Sequence, residues 1–343
     1  MKCGWKNLFC DMDFERIKLD LKNKIYYPVY FLCGEEPYFI DNISDYIENE
    51  LLNESEKEFN QTVIYGKETD IQGIISYAKR YPMMSNYQVV IVKEAQDLVN
   101  IDDLVSYVEH PLNSTILVIC YKYKKIDKRK KLIKLIEKNS VFFESAKLYD
   151  NKVPDWITGW LKLEGYGISL KAALLLSDYL GNDLLKITNE LEKLFINIPK
   201  GSEITTNHIE ENIGISKDYN IFELQNALGS RDLFKANQII NYFAANPKEN
   251  PMVKIIFVLY GFFSKLLIYH QLQDKSRNSV AASLGIHPFF INTYANAARK
   301  YSFSNITNII SIMKEYDLKS KGVGNNTTSD GELLKELIYK ILH

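Results

Sequence analysis

The sequence predicts a parallel α/β domain followed by two all-helical ones, at 1–145, 146–215 and 216–343. Three observations carry this. From Ile25 to Phe143, short β-branched or aromatic runs alternate with amphipathic stretches, the pattern of βαβ units around a mostly parallel sheet. Two of those runs, QVVIV and TILVICY, are almost continuously apolar, as central strands buried on both faces require. After about residue 150 the strand signals stop and helical periodicity takes over.

In order, the expected strands are Ile25–Cys33, Gln61–Tyr65, Gln88–Val92, Thr115–Tyr121 and Val141–Phe143. Between them Tyr38–Leu52, Ile71–Arg80, Ile101–Glu109 and Lys128–Lys138 carry apolar residues three and four apart, which places one helical face on a sheet. In the next segment Pro154 opens a helix that Gly165 and Gly167 stop. Ser169 caps a second helix ending at Gly181. A third sets Leu184, Ile187, Leu191, Leu194 and Phe195 on one face, and Thr205 with Thr206 opens a short fourth. From Tyr219 onward five or six more helices are expected, punctuated at Asn246-Pro247, Gly285, His287-Pro288 and Gly322 through Gly331. No repeat of fixed period and no low-complexity tract interrupts them.

The 343 residues are 46% hydrophobic and 25% charged, enough for two or three packed cores, which excludes disordered, collagen-like and mini-protein classes. Lys+Arg 42 against Asp+Glu 43 leaves a net charge of -1, so nucleic acid would have to be held by a local patch. Cys3, Cys10, Cys33 and Cys120 match neither a C-x-x-C pair nor a disulfide framework, which fits a reducing cytoplasm. Charges at Asp11, Asp13, Glu15 and Arg16 interrupt any apolar core of an export signal. Ile255–Tyr269 is broken by Lys265 and falls short of the roughly 20 residues a bilayer requires, so it reads as a buried helix and no membrane partner is expected.

Charge is unevenly placed. Residues 251–343 hold 11 Lys+Arg and 6 Asp+Glu, a net of +5 that leaves -6 for the rest. A second basic concentration runs from Lys122 to Lys138, where nine Lys and Arg face only Asp127 and Glu137. Phosphate contact is one reading of that run and a solvated helix face the other. The loop from Asp317 to Gly324 combines lysines with glycines in a weaker version of the same pattern.

Catalytic chemistry finds little support. A phosphate cradle after the first strand needs exposed glycine amides and a Lys followed by Ser or Thr. Here the turn reads Gly34-Glu35-Glu36-Pro37-Tyr38, with two carboxylates that would repel phosphate. A carboxylate does follow the third strand, at Glu94, but without the phosphate loop it stands alone. His110, His208, His270, His287 and His343 are scattered, the cysteines offer no zinc quartet, and no G-x-S-x-G elbow is present. No catalytic residue, metal or cofactor is therefore expected. What stands out is Tyr81-Pro82-Met83-Met84-Ser85, where a proline stiffens the turn and adjacent methionines point in different directions, hard to bury together on one helix face. An adaptable binding surface and ordinary core under the sheet edge are the two readings.

Taken together, YFLCGEEPYFID (Tyr30 to Asp41), YPMMSNYQVVIVKEA (Tyr81 to Ala95), LVICYKYKKIDKRKKLIKLI (Leu117 to Ile136), DWITGWLKLEGYGIS (Asp155 to Ser169), LGNDLLKITNELEKL (Leu180 to Leu194) and EYDLKSKG (Glu315 to Gly322) resemble, in order, the delta-subunit family of the bacterial DNA polymerase III clamp loader. The resemblance implies a degenerate AAA+-like sheet domain without a P-loop, a small helical lid, and a helical collar through which five loader subunits join in a ring. It implies a component of a DNA-directed DNA polymerase that does not itself hydrolyse ATP. Ser230-Arg231 is followed by Asp232, unlike the Ser-Arg-Cys finger of the related ATPase and delta prime subunits.

The expected partners are the sliding clamp (beta), the ATPase and delta prime subunits, and primed DNA within the complex. The family opens the clamp by inserting two adjacent apolar side chains into it. By position these fall on Met83 and Met84, flanked by Tyr81 and Pro82, where the family more often carries Leu and Phe. A wedge with higher affinity for the open ring shifts the ring toward opening by that difference. Lys124, Lys125, Lys128, Arg129, Lys130, Lys319 and Lys321 are the DNA-contact candidates, although the collar loop Lys319 to Asn325 lacks the aromatic of some relatives. A nucleotide-hydrolysing enzyme with an atypical phosphate loop and a stand-alone nucleic-acid-binding module are the alternatives.

Overall fold

A computed structural model describes residues 14–325 and 327–343, so Cys3, Cys10, Asp11 and Asp13 lie outside the described residues. Contacts divide the chain into two compact units, one running through Leu148 and including Asn182–Lys186, the other comprising Tyr149–Gly181 and Ile187–His343.

The first unit is built from α1 (Phe14–Lys22), β1 (Val29–Gly34), α2 (Pro37–Glu50), α3 (Glu54–Asn60), β2 (Gln61–Tyr65), α4 (Ile71–Ala78), β3 (Gln88–Lys93), α5 (Val105–Val108), β4 (Thr115–Lys122), α6 (Lys131–Asn139) and β5 (Val141–Ser145). Its five strands form one sheet in the order β2-β3-β4-β1-β5, and every pairing is parallel. Parallel strands need crossover helices, which cover both faces. Val29, Phe31 and Cys33 share a core with Ile74 and Ile75 of α4, Tyr107 of α5 and Ile133 and Ile136 of α6. The alternate residues Tyr30 and Leu32 turn the other way, toward the face on which α2 buries Ile40, Ile43 and Ile47. Cys33 and Cys120 are buried, and loss of solvation pushes both thiols up to about 12, which keeps them protonated and unreactive.

All five expected strands are present, with shifts that have local causes. β1 begins at Val29 because Ile25 closes α1 instead: its N–H bonds to Asp20 O across Lys24, whose φ is 59°. The helix expected over 101–109 starts as a 3-10 turn, Ile101–Leu104, before α5. The helix expected from Lys128 starts only at Lys131, because Asp127 folds the preceding residues into a turn by accepting from Arg129 N. α1 and α3 were not expected from the sequence pattern.

The second unit opens with α7 (Val153–Glu164), β6 (Gly167–Ile168), α8 (Leu170–Leu180), α9 (Leu184–Asn197, whose first residues belong to the first unit), β7 (Glu203–Ile204) and α10 (Thr206–Ile213). The stops and caps fall where expected: Gly165 ends α7 at φ 87°, and Ser169 accepts from Ala172 N at the start of α8. The short parallel pair β6–β7 corrects the expectation that strands cease after residue 150; two-residue strands carry no readable period.

The unit continues with α11 (Ile221–Ser230), α12 (Leu233–Ala245), α13 (Met252–Gln271), α14 (Arg277–Leu284), α15 (Ile291–Lys300), α16 (Phe303–Ser320) and α17 (Asp330–Leu342). These are seven α-helices among the described residues, where five or six were expected. Their core gathers Leu228, Ile239, Phe243, Tyr301, Tyr316 and Leu337 around α13. By length and composition α13 is apolar enough to cross a membrane; here Ile255, Leu259, Phe262, Phe263 and Leu266 are buried in the helical core, as expected of that segment.

Candidate functional site

In an open parallel sheet, ligands bind beyond the carboxyl ends of the strands where the connections diverge. That point lies between β1, whose chain runs on to β2, and β4, whose chain crosses to β5 on the other side. The turn after β1 occupies it. Gly34 has φ 129°, and a Cβ there would lie 2.0 Å from Ser145 O, so its glycine serves a close approach to β5. Glu35 N donates to Ser145 O, and the buried Glu36 carboxylate accepts from Tyr38 N at 3.1 Å to cap α2. Burial pushes the Glu36 carboxyl up to about 7, against the backbone bond from Tyr38 that favours its charge.

The neighbouring strand ends neutralise themselves. Lys122 Nζ lies 2.5 Å from Asp41 and 3.9 Å from Glu94, and Lys93 Nζ lies 2.7 Å from Glu48. Desolvation lowers both amines, but the carboxylates outweigh it and hold both above their usual range. Gln96 completes the cluster, donating to Glu94 and accepting from Lys122 N. The space where a phosphate-binding turn would act is thus lined by internal ion pairs and two turn carboxylates.

Residues 79–87 link α4 to β3 at the amino-terminal ends of the parallel strands β2 and β3. Tyr81, Met83 and Met84 are 75%, 64% and 104% exposed, so the methionine pair lies outside the core, and Pro82 between them is half-buried. Met84 has φ 54°, a left-handed conformation that turns its side chain out at the loop tip. The base of the loop is tied down: Tyr87 packs edge-on against Tyr26 at 5.3 Å, and its N–H donates to Ser85 Oγ.

At the tip, the fully buried Asn60 bonds both ways with Met83. Its Oδ1 accepts from Met83 N at 2.6 Å, and its Nδ2 donates to Met83 O at 2.9 Å and to Glu56 O at 3.0 Å. The sequence reading missed Asn60; its partner is 23 residues on, and no local pattern connects them.

The basic candidates fall into two separate groups. Lys124, Lys125, Lys128, Arg129 and Lys130 lie in the loop between β4 and α6, so the helix-face reading does not describe them. Most are paired: Lys125 with Glu35 at 3.7 Å, Lys128 with Glu144 at 2.7 Å, Arg129 with Asp127 at 2.8 Å and Lys130 with Asp102 at 2.7 Å. The Arg129 guanidinium holds the Asp127 carboxyl down at about 2. In the second unit Lys319 pairs with Glu315 and Lys321 with Asp317, each at 2.7 Å along α16 or just past its end.

Two family models match the chain: "DNA polymerase III, delta subunit" over residues 30–146, and the C-terminal domain of that subunit over 218–338. Together they take in the greater part of the sequence. The chain belongs to the DNA polymerase III delta-subunit family.

Its relatives agree along the whole length. DNA polymerase III subunit delta of Bacillus subtilis (strain 168) is 29% identical over 329 residues, covering 92% of this chain and 93% of the relative. The solved structure of the Bacillus subtilis DNA clamp loader delta protein superposes with a TM-score of 0.58 at 26% identity, covering 96% of this chain and 99% of that one. The parallel sheet and the helical remainder are therefore the arrangement of the clamp loader delta protein. The delta-subunit model spans the Met83-Met84 loop and the loop from Lys124 to Lys130, and the C-terminal model spans Lys319 and Lys321.

Proposed function

We propose that this chain is the clamp-opening subunit of a DNA polymerase III clamp loader and that Met83 and Met84, braced by Tyr81 and Pro82, are its wedge. Membership of the delta family supports the loader role. The observation that carries the site is the exposure of two adjacent methionines at the tip of a loop whose base and backbone are tied down. Each side chain gains about 1.5–3 kcal/mol if fully buried in a clamp pocket. A wedge with greater affinity for the open ring than for the closed one converts part of that energy into opening. The carboxylate-lined turn after β1 supports a subunit that leaves ATP hydrolysis to its neighbours.

In this reading residues 146–215 act as the lid and 216–343 as the collar joining ATPase and delta prime subunits. The lysines of the β4–α6 loop and of the α16 end face primed DNA within the complex, in the cytoplasm. The test is binding of the full chain to its cognate sliding clamp. Met83→Ala/Met84→Ala is expected to weaken it by about tenfold or more, the loss of roughly 1.4 kcal/mol or more; unchanged affinity in a folded variant would move the wedge elsewhere.

A further inference from the structure

We propose that Asn60 is the positioning residue of the clamp-binding loop: its side-chain amide acts as a substitute strand that fixes the backbone of Met83 and so aims the Met83-Met84 pair. This rests on the wedge reading above.

The geometry is specific to a carboxamide. One Nδ2 hydrogen goes to Glu56 O inside α3, the other to Met83 O, and Oδ1 accepts from Met83 N. Asn60 therefore offers Met83 the donor and acceptor that a neighbouring strand would, while the bond to Glu56 locks the amide plane. Asp in its charged form has no donor and would face two carbonyl oxygens. Gln is one methylene too long, and Ala leaves a half-buried N–H and C=O without partners.

The anchor is itself rigid. Asn60 is fully buried, ends α3 behind an Asn53/Glu56 capping box, and is followed directly by Gln61, which registers with Val89 of β3. The loop is thus held to the start of β2, beside the strand it leads into. Among the described residues, Asn60 makes the only hydrogen bonds to the backbone of Tyr81–Met84. Without it, Met83 and the left-handed Met84 would sample several conformations, and the clamp would have to order them on binding.

The experiment combines amide exchange of the free chain with clamp binding, for the native chain, Asn60→Ala, Asn60→Asp and Met83→Ala/Met84→Ala. The Met83 amide is expected to be protected in the native chain and to exchange about tenfold or more faster in Asn60→Ala, with the amides of β3 and β4 unchanged. Clamp affinity is expected to fall about tenfold in Asn60→Ala, and Asn60→Ala combined with Met83→Ala/Met84→Ala is expected to add little to the loss that Met83→Ala/Met84→Ala already causes, because both act through one element.

Asn60→Asp supplies a readout that a general loss of stability would not move. It is expected to bind the clamp weakly near pH 8 and to recover, relative to the native chain, as the pH falls toward about 5.5 and its carboxyl regains a proton to donate to Met83 O. It also carries the test if Asn60→Ala melts below the assay temperature. An unprotected Met83 amide in the native chain overturns the inference, as does full clamp affinity in a folded Asn60→Ala when Met83→Ala/Met84→Ala binds poorly. Full affinity in Met83→Ala/Met84→Ala overturns the wedge reading and with it the role given to Asn60.

Discussion

Met84 holds a backbone conformation that costs a side-chain-bearing residue about 1–2 kcal/mol, and holds it while fully exposed, with no burial to offset the cost. Strain of this kind persists where surrounding structure imposes it, and here the imposing contact is the Asn60 pairing one residue earlier. Stability and binding should therefore separate at this position. Met84→Gly relieves the left-handed strain, partly offset by a more flexible unfolded chain. Its melting temperature is expected to equal or slightly exceed that of the native chain, while clamp affinity falls by about tenfold with the lost apolar contact. Met84→Val removes the same methionine but crowds a β-branched Cβ into the left-handed region, and is expected to melt lower than the glycine variant by an amount equivalent to about 1 kcal/mol or more. Thermal melts of the three chains, beside clamp titrations, check the ordering.

At the scale of elements, the turn between β1 and α2 shows how a phosphate-binding position becomes a structural cap. Glu36 is raised from the usual 4.5 to about 7 by burial, so the folded chain holds a proton there that the unfolded chain releases. The stability this contributes is fully present below about 4.5 and is lost as the pH rises through about 7. Glu36→Gln keeps an oxygen to accept from Tyr38 N and has no charge to bury. It is expected to match the native chain near pH 4.5 and to melt higher above pH 7, seen as a widening gap in melting temperature between those limits. The carboxylates of this turn were legible in the sequence because a phosphate loop demands particular residues at fixed spacing. So were the strands, because QVVIV and TILVICY admit few placements other than the middle of a sheet. α3 was not, since ESEKEFN is polar apart from the exposed Phe59 and buries Asn60 alone. β6 and β7 were too short to show a period, and the Asn60–Met83 pairing joins residues that only the parallel pairing of β2 with β3 brings together.

For the molecule as a whole, the sequence showed where basic residues concentrate but not what they face. The net of +5 over residues 251–343 and the run from Lys122 to Lys138 suggest an electrostatic surface for DNA when read along the chain. In the fold, six of the seven candidates stand beside a carboxylate: Lys125, Lys128, Arg129, Lys130, Lys319 and Lys321; Lys124 has no ion pair among the described residues. Exposed pairs of this sort are individually weak, about 0–1 kcal/mol, and a strong enough phosphate array can displace them. A lysine beside a carboxylate nevertheless gains less from a phosphate than a free one, because the carboxylate repels the incoming anion. Were all seven to neutralise phosphates on duplex DNA, the affinity of the isolated chain would fall with salt at a log–log slope of about -6. With six of them paired, the slope expected for the isolated chain is shallower than about -2, with dissociation constants weaker than roughly 10 μM at physiological salt. If the chain acts in the loader as proposed, assembly would add the basic groups of its neighbours on the same duplex. Titrating labelled primed DNA with the isolated chain and with the reconstituted loader, across a range of salt concentrations, measures the difference: a steep slope for the isolated chain would mean that these carboxylates yield readily and that the chain holds DNA by itself.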